Sequence, residues 1–200
     1  MNNSTIPKFA NQMVEVGKEP SISFLGSVIL VPIFFLGLVS LNKNPSTLLY
    51  IHILSGIIWF GMAIIVPAVL ILYLGFIDPT TVNQFIRKTI PKIVLFMLAV
   101  SFMTVLSGSL LADQFGLLHA DSPWMLRVFV LGWILWLFGL FVSNRMHLTV
   151  YFEGKAPNPD LTLLKSIEKK ILVAGIFEAL IMLGIIYLVL NPGFRLWNLF

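Results

Sequence analysis

Apolar residues in this chain are gathered into five long stretches, separated by segments that carry most of the charge. The five stretches cover residues 22–41, 48–77, 93–112, 124–142 and 171–190. Each approaches or exceeds the roughly 20 residues that a helix needs to cross the hydrocarbon core of a bilayer. Because a single span must satisfy its own backbone hydrogen bonds in lipid, each stretch is predicted to be an α-helix. The pattern therefore predicts an all-α integral membrane protein with five transmembrane helices.

The composition agrees with a protein whose main partner is the lipid bilayer. Hydrophobic residues make up 58% of the chain and charged residues 11%, whereas about 25% charged residues is usual in soluble domains. The chain contains no cysteine, which excludes disulfides, thiolate metal sites and a cysteine nucleophile. The basic pI of about 9.5 comes from residues in the loops between apolar stretches. This distribution indicates membrane orientation and not a nucleic-acid partner.

Positive charge is divided unequally between the two sides that five spans create. One side holds the N-terminus and the loops around residues 78–92 and 143–170. Ten of the thirteen Lys and Arg residues fall on that side, namely Lys8, Lys18, Arg87, Lys88, Lys92, Arg145, Lys155, Lys165, Lys169 and Lys170. The other side has Lys43, Arg127 and Arg195. The positive-inside rule predicts a multi-pass protein of the cell membrane with its N-terminus in the cytoplasm and its C-terminus outside.

Small side chains form a stripe on the second and third spans, and a histidine stands at the outer end of the first stripe. Steps of three or four residues along the second span give His52, Gly56, Trp59, Ala63 and Pro67. The corresponding stripe on the third span is Ser101, Thr104, Gly108 and Ala112. Small residues are the usual material of close helix packing in membranes. The same stripes would also suit a slot for a flat cofactor with His52 as an axial ligand, and both interpretations stay open.

A carboxylate stands well inside the fifth span. Glu178 lies about eight residues into it, where an unpaired charge is penalised by several kcal/mol. One hypothesis makes Glu178 a candidate catalytic residue, as a proton-relay or quinone-site carboxylate. The other makes it a protonated acid that hydrogen-bonds between helices, with Ser101 or Thr104 as possible partners.

Further polar candidates stand at the ends of the spans. Arg127 opens the fourth span and either snorkels to water or pairs with Asp121 or an anionic cofactor group. His119 in the outer loop is either a metal ligand or a solvated side chain. His147 is placed at the inner end of the fourth span, so it is not expected to share a site with His52.

Several segments resemble the HemJ-type protoporphyrinogen oxidase family. The segment IHILSGIIWFGMAIIVPAVL resembles the first helix of that family through His52, Trp59, Gly61 and Pro67. The segment FIRKTIPKIVLFMLAVSFMTVLSG resembles the next helix, with Arg87, Thr104 and Gly108. The third helix of the family opens with Trp-x-x-Lys, and this chain has Trp124-Met-Leu-Arg127 at that place. The last helix of the family ends in Lys-Pro-Phe or similar, and the last helix of this chain ends in Asn191-Pro192-Gly-Phe.

The resemblance covers about residues 48–193 and implies a division of the chain. Residues 1–47 would be an N-terminal tail with an extra helix, and residues 48–200 a four-helix core. A His followed by Trp-x-Gly in an early helix is also similar to copper resistance D (CopD)-like membrane proteins. In the HemJ-type family, the first-helix His and the third-helix Lys are implicated in binding haem b. The resemblance thus implies a haem near the outer face, held by His52 with Trp59, Gly108 and Arg127 around it.

Arg127 departs from the lysine of the family. A guanidinium stays protonated and offers no lone pair to iron, although it can bind a haem propionate through two hydrogen bonds. The outcomes left open are a five-coordinate haem on His52, a substitute ligand such as His119, or no haem.

Three functions follow from these observations. The leading hypothesis is a haem-binding protein that takes part in oxidation or electron transfer, with quinone or porphyrin as partner; whether it is an oxidoreductase stays open. The second is a copper-handling or transport protein in which His52, His119 and methionines are ligands, since Cu(I) favours soft sulfur. The scattered positions of the methionines argue against a dedicated copper path. The third is a structural subunit of a larger respiratory complex with other membrane subunits.

Overall fold

The structure, a computed structural model, describes residues 9–42, 44–76, 79–118 and 123–191. Regular structure in these ranges is entirely helical. The α-helices are α1 (Phe9–Gly17), α2 (Ile22–Asn42), α3 (Pro45–Phe76), α4 (Pro79–Gln114), α5 (Pro123–Phe138), α6 (Asn144–Lys155) and α7 (Leu161–Leu190). A single π-helical turn, Gly139–Ser143, joins α5 to α6 without interrupting the rod.

Four rods are long and apolar enough to cross a membrane: α3, α4, the continuous α5–α6 rod and α7. A fifth span is obtained when α1 and α2, which are bent by 109° relative to each other, are counted as one. The prediction of a membrane-type helical bundle is thereby confirmed.

The four long rods surround a common interior. Helix α3 packs against α4 and α7, and α5 also packs against α4 and α7, so the four close into a ring. Helix α2 contacts α3 and α4 from outside the ring, and none of its described side chains is buried. In the described residues, the four long rods thus form the core of the bundle, and α2 lies outside it.

Helices extend well beyond the apolar stretches that predicted them. The prediction of a loop over residues 143–170 is wrong, because α6 continues to Lys155 and α7 already begins at Leu161. Charged residues in these flanks, such as Lys165 and Lys169, are good helix formers, so polarity does not end the helix. Asp160 starts α7 by accepting hydrogen bonds from the backbone N–H groups of Thr162 (2.9 Å) and Leu163 (3.0 Å), as N-cap residues do.

Helix α1 covers one end of the ring. Its Val16 is fully buried in a cluster with Ile90 of α4, Leu148 of α6 and Ile171 of α7. An ion pair between Glu19, after α1, and Lys155, at the end of α6, lies at the same end. This end, which carries the α6–α7 loop, is thus closed by packing, and the opposite end carries the α4–α5 loop.

Candidate functional site

A cavity opens between α3, α4, α5 and α7 in the half of the bundle that carries the α4–α5 loop. Its volume is about 260 Å³, near the lower end of the roughly 300–1,000 Å³ typical of small-molecule pockets. The wall is largely apolar and includes Leu111, Val128, Leu135, Ile185 and Val189. We call it the His52 cavity, since His52 lines it and provides its one titratable side chain among the described residues.

The His52 ring is fixed from the neighbouring helix. Its Nδ1 lies 2.8 Å from the backbone carbonyl oxygen of Thr104. A carbonyl oxygen only accepts, so Nδ1 carries the proton and donates it. The neutral imidazole then keeps a lone pair on Nε2. Metal-binding histidines are commonly oriented in this way, by a hydrogen bond from the other ring nitrogen to a carbonyl group.

Gly108 makes room for that ring. A Cβ atom at position 108 would lie 2.6 Å from Cε1 and 2.9 Å from Nδ1 of His52. Both distances are shorter than the closest approach of carbon and nitrogen atoms that are not bonded to each other. Glycine at position 108 is therefore required by the position of His52.

The structure brings three of the four predicted cofactor-binding residues to one cavity. His52, Trp59 and Gly108 all line it, and Trp59 is buried. Arg127 lies on α5 between Met125 and Val128, which line the cavity, but its own side chain is exposed. His119, the predicted second metal ligand, and Asp121 lie outside the described residues.

The two small-residue stripes border a cavity along one part of their length and pack closely along another. Gly56 on α3 packs on the methyl group of Thr104, which lies 3.6 Å from where a Cβ atom would stand, and both residues line the cavity. Further along α3, a Cβ atom at Gly175 of α7 would lie 2.7 Å from the carbonyl oxygen of Ala63 and from Cγ of Pro67. One half of the α3 stripe thus borders a cavity, and the other half packs tightly on α7.

Glu178 does not belong to the His52 cavity. It is buried and lines a second cavity of about 50 Å³ toward the α6–α7 end, which we call the Glu178 cavity. Its hydrogen-bond partner is Ser143, so the expectation of Ser101 or Thr104 as partner is wrong. The hydroxyls of Ser101 and Thr104 instead donate to carbonyl groups of their own helix, at Leu98 (3.2 Å) and Val100 (2.9 Å).

His147 lines the Glu178 cavity and not the His52 cavity, as its place in the sequence predicted. Trp59 lines both cavities and stands between them. The two histidines that the structure describes therefore lie in opposite halves of the bundle, each in its own cavity.

Sequence reasoning missed three features of these sites. Met125 of α5 and Met182 of α7 line the His52 cavity, although they are 57 residues apart in the chain. The Thr104 carbonyl that holds His52 is a backbone group, which no residue type reveals. The π-helical turn has no distinctive sequence signal either, apart from Gly139 at its start.

Metal-binding side chains are sparse in the bundle. Within the described ranges, no group of three or more His, Asp or Glu residues is placed to hold a metal ion. A metal at His52 would therefore depend on a macrocycle or on sulfur for its other ligands. Comparison of the chain with protein-family models, curated proteins and solved structures finds no match.

Proposed function

We propose that this protein binds haem b through His52 and takes part in electron transfer within the membrane. The observation that carries the proposal is the hydrogen bond from Nδ1 of His52 to the carbonyl oxygen of Thr104 (2.8 Å). It holds the imidazole as a neutral ligand whose Nε2 lone pair is available, beside an apolar cavity. A buried imidazole needs such a hydrogen bond in any role, so the apolar cavity beside the free Nε2 lone pair is what favours a ligand over a packing residue.

The lining of the His52 cavity has features that suit a porphyrin, but its volume of about 260 Å³ is smaller than a haem, so binding would require the helices around it to separate. Gly56 and Gly132 leave parts of the wall without side chains, as a flat ring requires. His52 would hold the iron, and the thioether of Met125 or Met182 could complete its ligands, since His and Met together ligate haem iron in some cytochromes. Haem supplies one-electron chemistry when bound. The protein would hold the haem with His52, shield it with Trp59 and keep water away with the apolar wall.

The proposed setting is the cell membrane, with the N-terminus in the cytoplasm and the His52 cavity in the outer half. The ten basic residues on one side of the spans support this orientation. Arg127, exposed on α5 beside the cavity, is suited to the propionate groups of a porphyrin at the membrane surface. A membrane quinone, a porphyrin substrate or another membrane subunit is the proposed electron partner.

The test is a reduced-minus-oxidised absorption spectrum of the purified protein. We expect the absorbance bands of a b-type haem in the wild type and their loss in His52→Ala. The matched control is His147→Ala, which removes the transmembrane histidine of the other cavity and should keep the bands. A wild-type protein without haem absorbance, or a His52→Ala variant with an unchanged spectrum, would contradict the proposal.

A second candidate function is copper handling, and one observation favours it. His52, Met125 and Met182 line the same cavity, although the methionines are scattered in sequence. One imidazole and two thioethers are ligands that Cu(I) accepts. Metal analysis of the purified protein distinguishes the candidates. If the purified protein contains copper that is lost in Met125→Leu and Met182→Leu, and shows no porphyrin absorbance, the copper function would replace the haem function.

A further inference from the structure

The Glu178 cavity gathers polar groups that the proposed haem site does not use. Glu178 lies near the middle of α7 and is only 4% exposed. Its carboxyl oxygen accepts a hydrogen bond from the Ser143 hydroxyl. Ser143 ends the π-helical turn, in which the backbone N–H of Asn144 reaches the carbonyl oxygen of Gly139. Single π-helical turns inside α-helices are frequent at functional sites, and this one supplies the partner of the buried acid.

His147 belongs to the same hydrogen-bonded arrangement. Its Nδ1 lies 2.8 Å from the carbonyl oxygen of Ser143 and donates to it. Within the described part of the chain, its Nε2 is buried and has no hydrogen-bond partner. Ser143 thus contacts Glu178 through its hydroxyl and His147 through its carbonyl group. A buried imidazole nitrogen without a partner is costly, which indicates that water or a proton donor reaches it.

Among the described residues that line the cavity, no other side chain carries a charge that would hold Glu178 ionised. Among the described lining residues, α3 contributes apolar side chains such as Met62 and Val66, and α4 contributes the Ser101 hydroxyl as its one polar side chain. The α5–α6 rod adds Asn144 beside Ser143 and His147. His147 is therefore the one other titratable group that faces Glu178 in this part of the structure.

The cavity has room for water between the two groups. A water molecule needs roughly 10–15 Å³ of such space and takes up about 30 Å³ in the liquid, so the cavity of about 50 Å³ has room for about one or two. Glu178, Ser143 and His147 provide the polar contacts that buried water requires. A short water chain can carry a proton between a carboxyl group and an imidazole.

We propose that Glu178, Ser143 and His147 form a proton-exchange site in which a proton passes between the Glu178 carboxyl group and Nε2 of His147 through water in the cavity. When Glu178 gives up its proton it becomes a carboxylate, and His147 becomes an imidazolium ion. The reverse transfer restores both neutral groups, so charge is conserved in the pair. The Ser143 hydroxyl stabilises the carboxylate, and the Ser143 carbonyl keeps the imidazole turned toward the cavity. The proton-exchange site consists of residues outside the His52 cavity and does not depend on haem at His52.

Infrared difference spectroscopy of the full chain in lipid vesicles tests this site. Steps in pH should reveal the C=O band of a buried carboxylic acid that titrates and shifts in D₂O. The band should be lost in Glu178→Gln and kept in Glu168→Gln, a control on the same helix. In His147→Gln, deuterium exchange of the band should be slower. A band that Glu178→Gln leaves in place, or exchange that is unaffected by His147→Gln, would overturn the proposal.

A substitute variant and a titration with Na⁺ complete the test. If Glu178→Gln does not fold, Ser143→Ala replaces it, because that variant keeps both titratable groups and removes the hydroxyl. A shifted C=O band supports the site, and an unchanged band overturns it. Titration with Na⁺ at constant pH should leave the band unchanged. A band that disappears on Na⁺ addition would assign the cavity to a metal cation and would also overturn proton exchange.

Discussion

The imidazole of His52 occupies the space that a side chain at position 108 would fill. A Cβ atom on Gly108 would lie 2.6 Å from Cε1 of the ring, and the ring is held there by the carbonyl oxygen of Thr104. The glycine on α4 and the histidine on α3 therefore depend on each other. A methyl group added at position 108 would therefore disturb the position of the His52 ring directly.

Gly108→Ala is expected to displace the His52 ring and break its hydrogen bond to Thr104. Overpacking of this kind costs about 1–3 kcal/mol, and any cofactor bound through Nε2 should be lost or weakened. Thermal unfolding in detergent and the absorption spectrum measure the two effects. Gly61→Ala is the control, since no described atom lies within 4 Å of a Cβ at position 61. Equal effects of the two substitutions would contradict the role of Gly108.

Gly175→Ala should separate α3 from α7. The new Cβ would lie 2.7 Å from the carbonyl oxygen of Ala63 and from Cγ of Pro67, and neither backbone nor a proline ring can move aside easily. We expect a loss of about 1–3 kcal/mol in the free energy of unfolding. Gly184→Ala on the same helix meets no described atom within 4 Å and should be neutral within about 1 kcal/mol. Denaturant titration in mixed micelles compares the two.

The ion pair at the α6–α7 end predicts a modest loss of stability in acid. The hydrogen bond from Lys155 lowers the pKa of the Glu19 carboxyl below its usual value. A lowered pKa in the folded state means that the stabilisation is present above the unfolded pKa and disappears as the pH falls through the folded one. Because both side chains are more than one-third exposed, the effect should be within about 1 kcal/mol.

Glu19→Gln should remove this acid dependence. The free energy of unfolding near neutral pH should be lower by no more than about 1 kcal/mol. Thermal unfolding followed between neutral pH and pH about 3 measures the difference. Glu15→Gln, in the same helix–turn segment, provides a comparison. If wild type and Glu19→Gln lose stability in parallel as the pH falls, the ion pair does not contribute.

Cysteine labelling can test the proposed orientation, because the natural chain contains no cysteine. Asp113→Cys marks the α4–α5 end and Lys165→Cys marks the α6–α7 end, and both positions are exposed. In intact cells, a membrane-impermeant maleimide should label position 113. It should reach position 165 only after permeabilisation. The opposite pattern would place the His52 cavity on the cytoplasmic side.

Much of the architecture could be predicted from the sequence, because lipid permits few alternatives to the helix. The apolar stretches predicted the order of the four long spans, and the fifth is reached only when α1 and α2 are counted as one. The ends of the helices could not be predicted from hydropathy, since α6 and α7 continue through Arg145 and Lys165. Hydropathy reports where lipid ends, whereas helix hydrogen bonding continues into the polar layer.

The candidate site could be predicted only in part. Helical spacing placed His52, Gly56 and Trp59 on one face, and the structure keeps them at one cavity. The partner of Glu178 could not be found in this way, because Ser143 is 35 residues away and is brought to it by the packing of the α5–α6 rod on α7.

By itself, the sequence determined a helical membrane bundle, since long apolar stretches have one stable form in lipid and their pattern is local. Only the tertiary structure decided that the two transmembrane histidines stand in separate cavities with Trp59 between them. It also decided that Gly108 makes room for His52 and that Ser143 meets Glu178. These relationships join residues on different helices, and they depend on how the helices rotate and cross, which spacing along one helix does not encode.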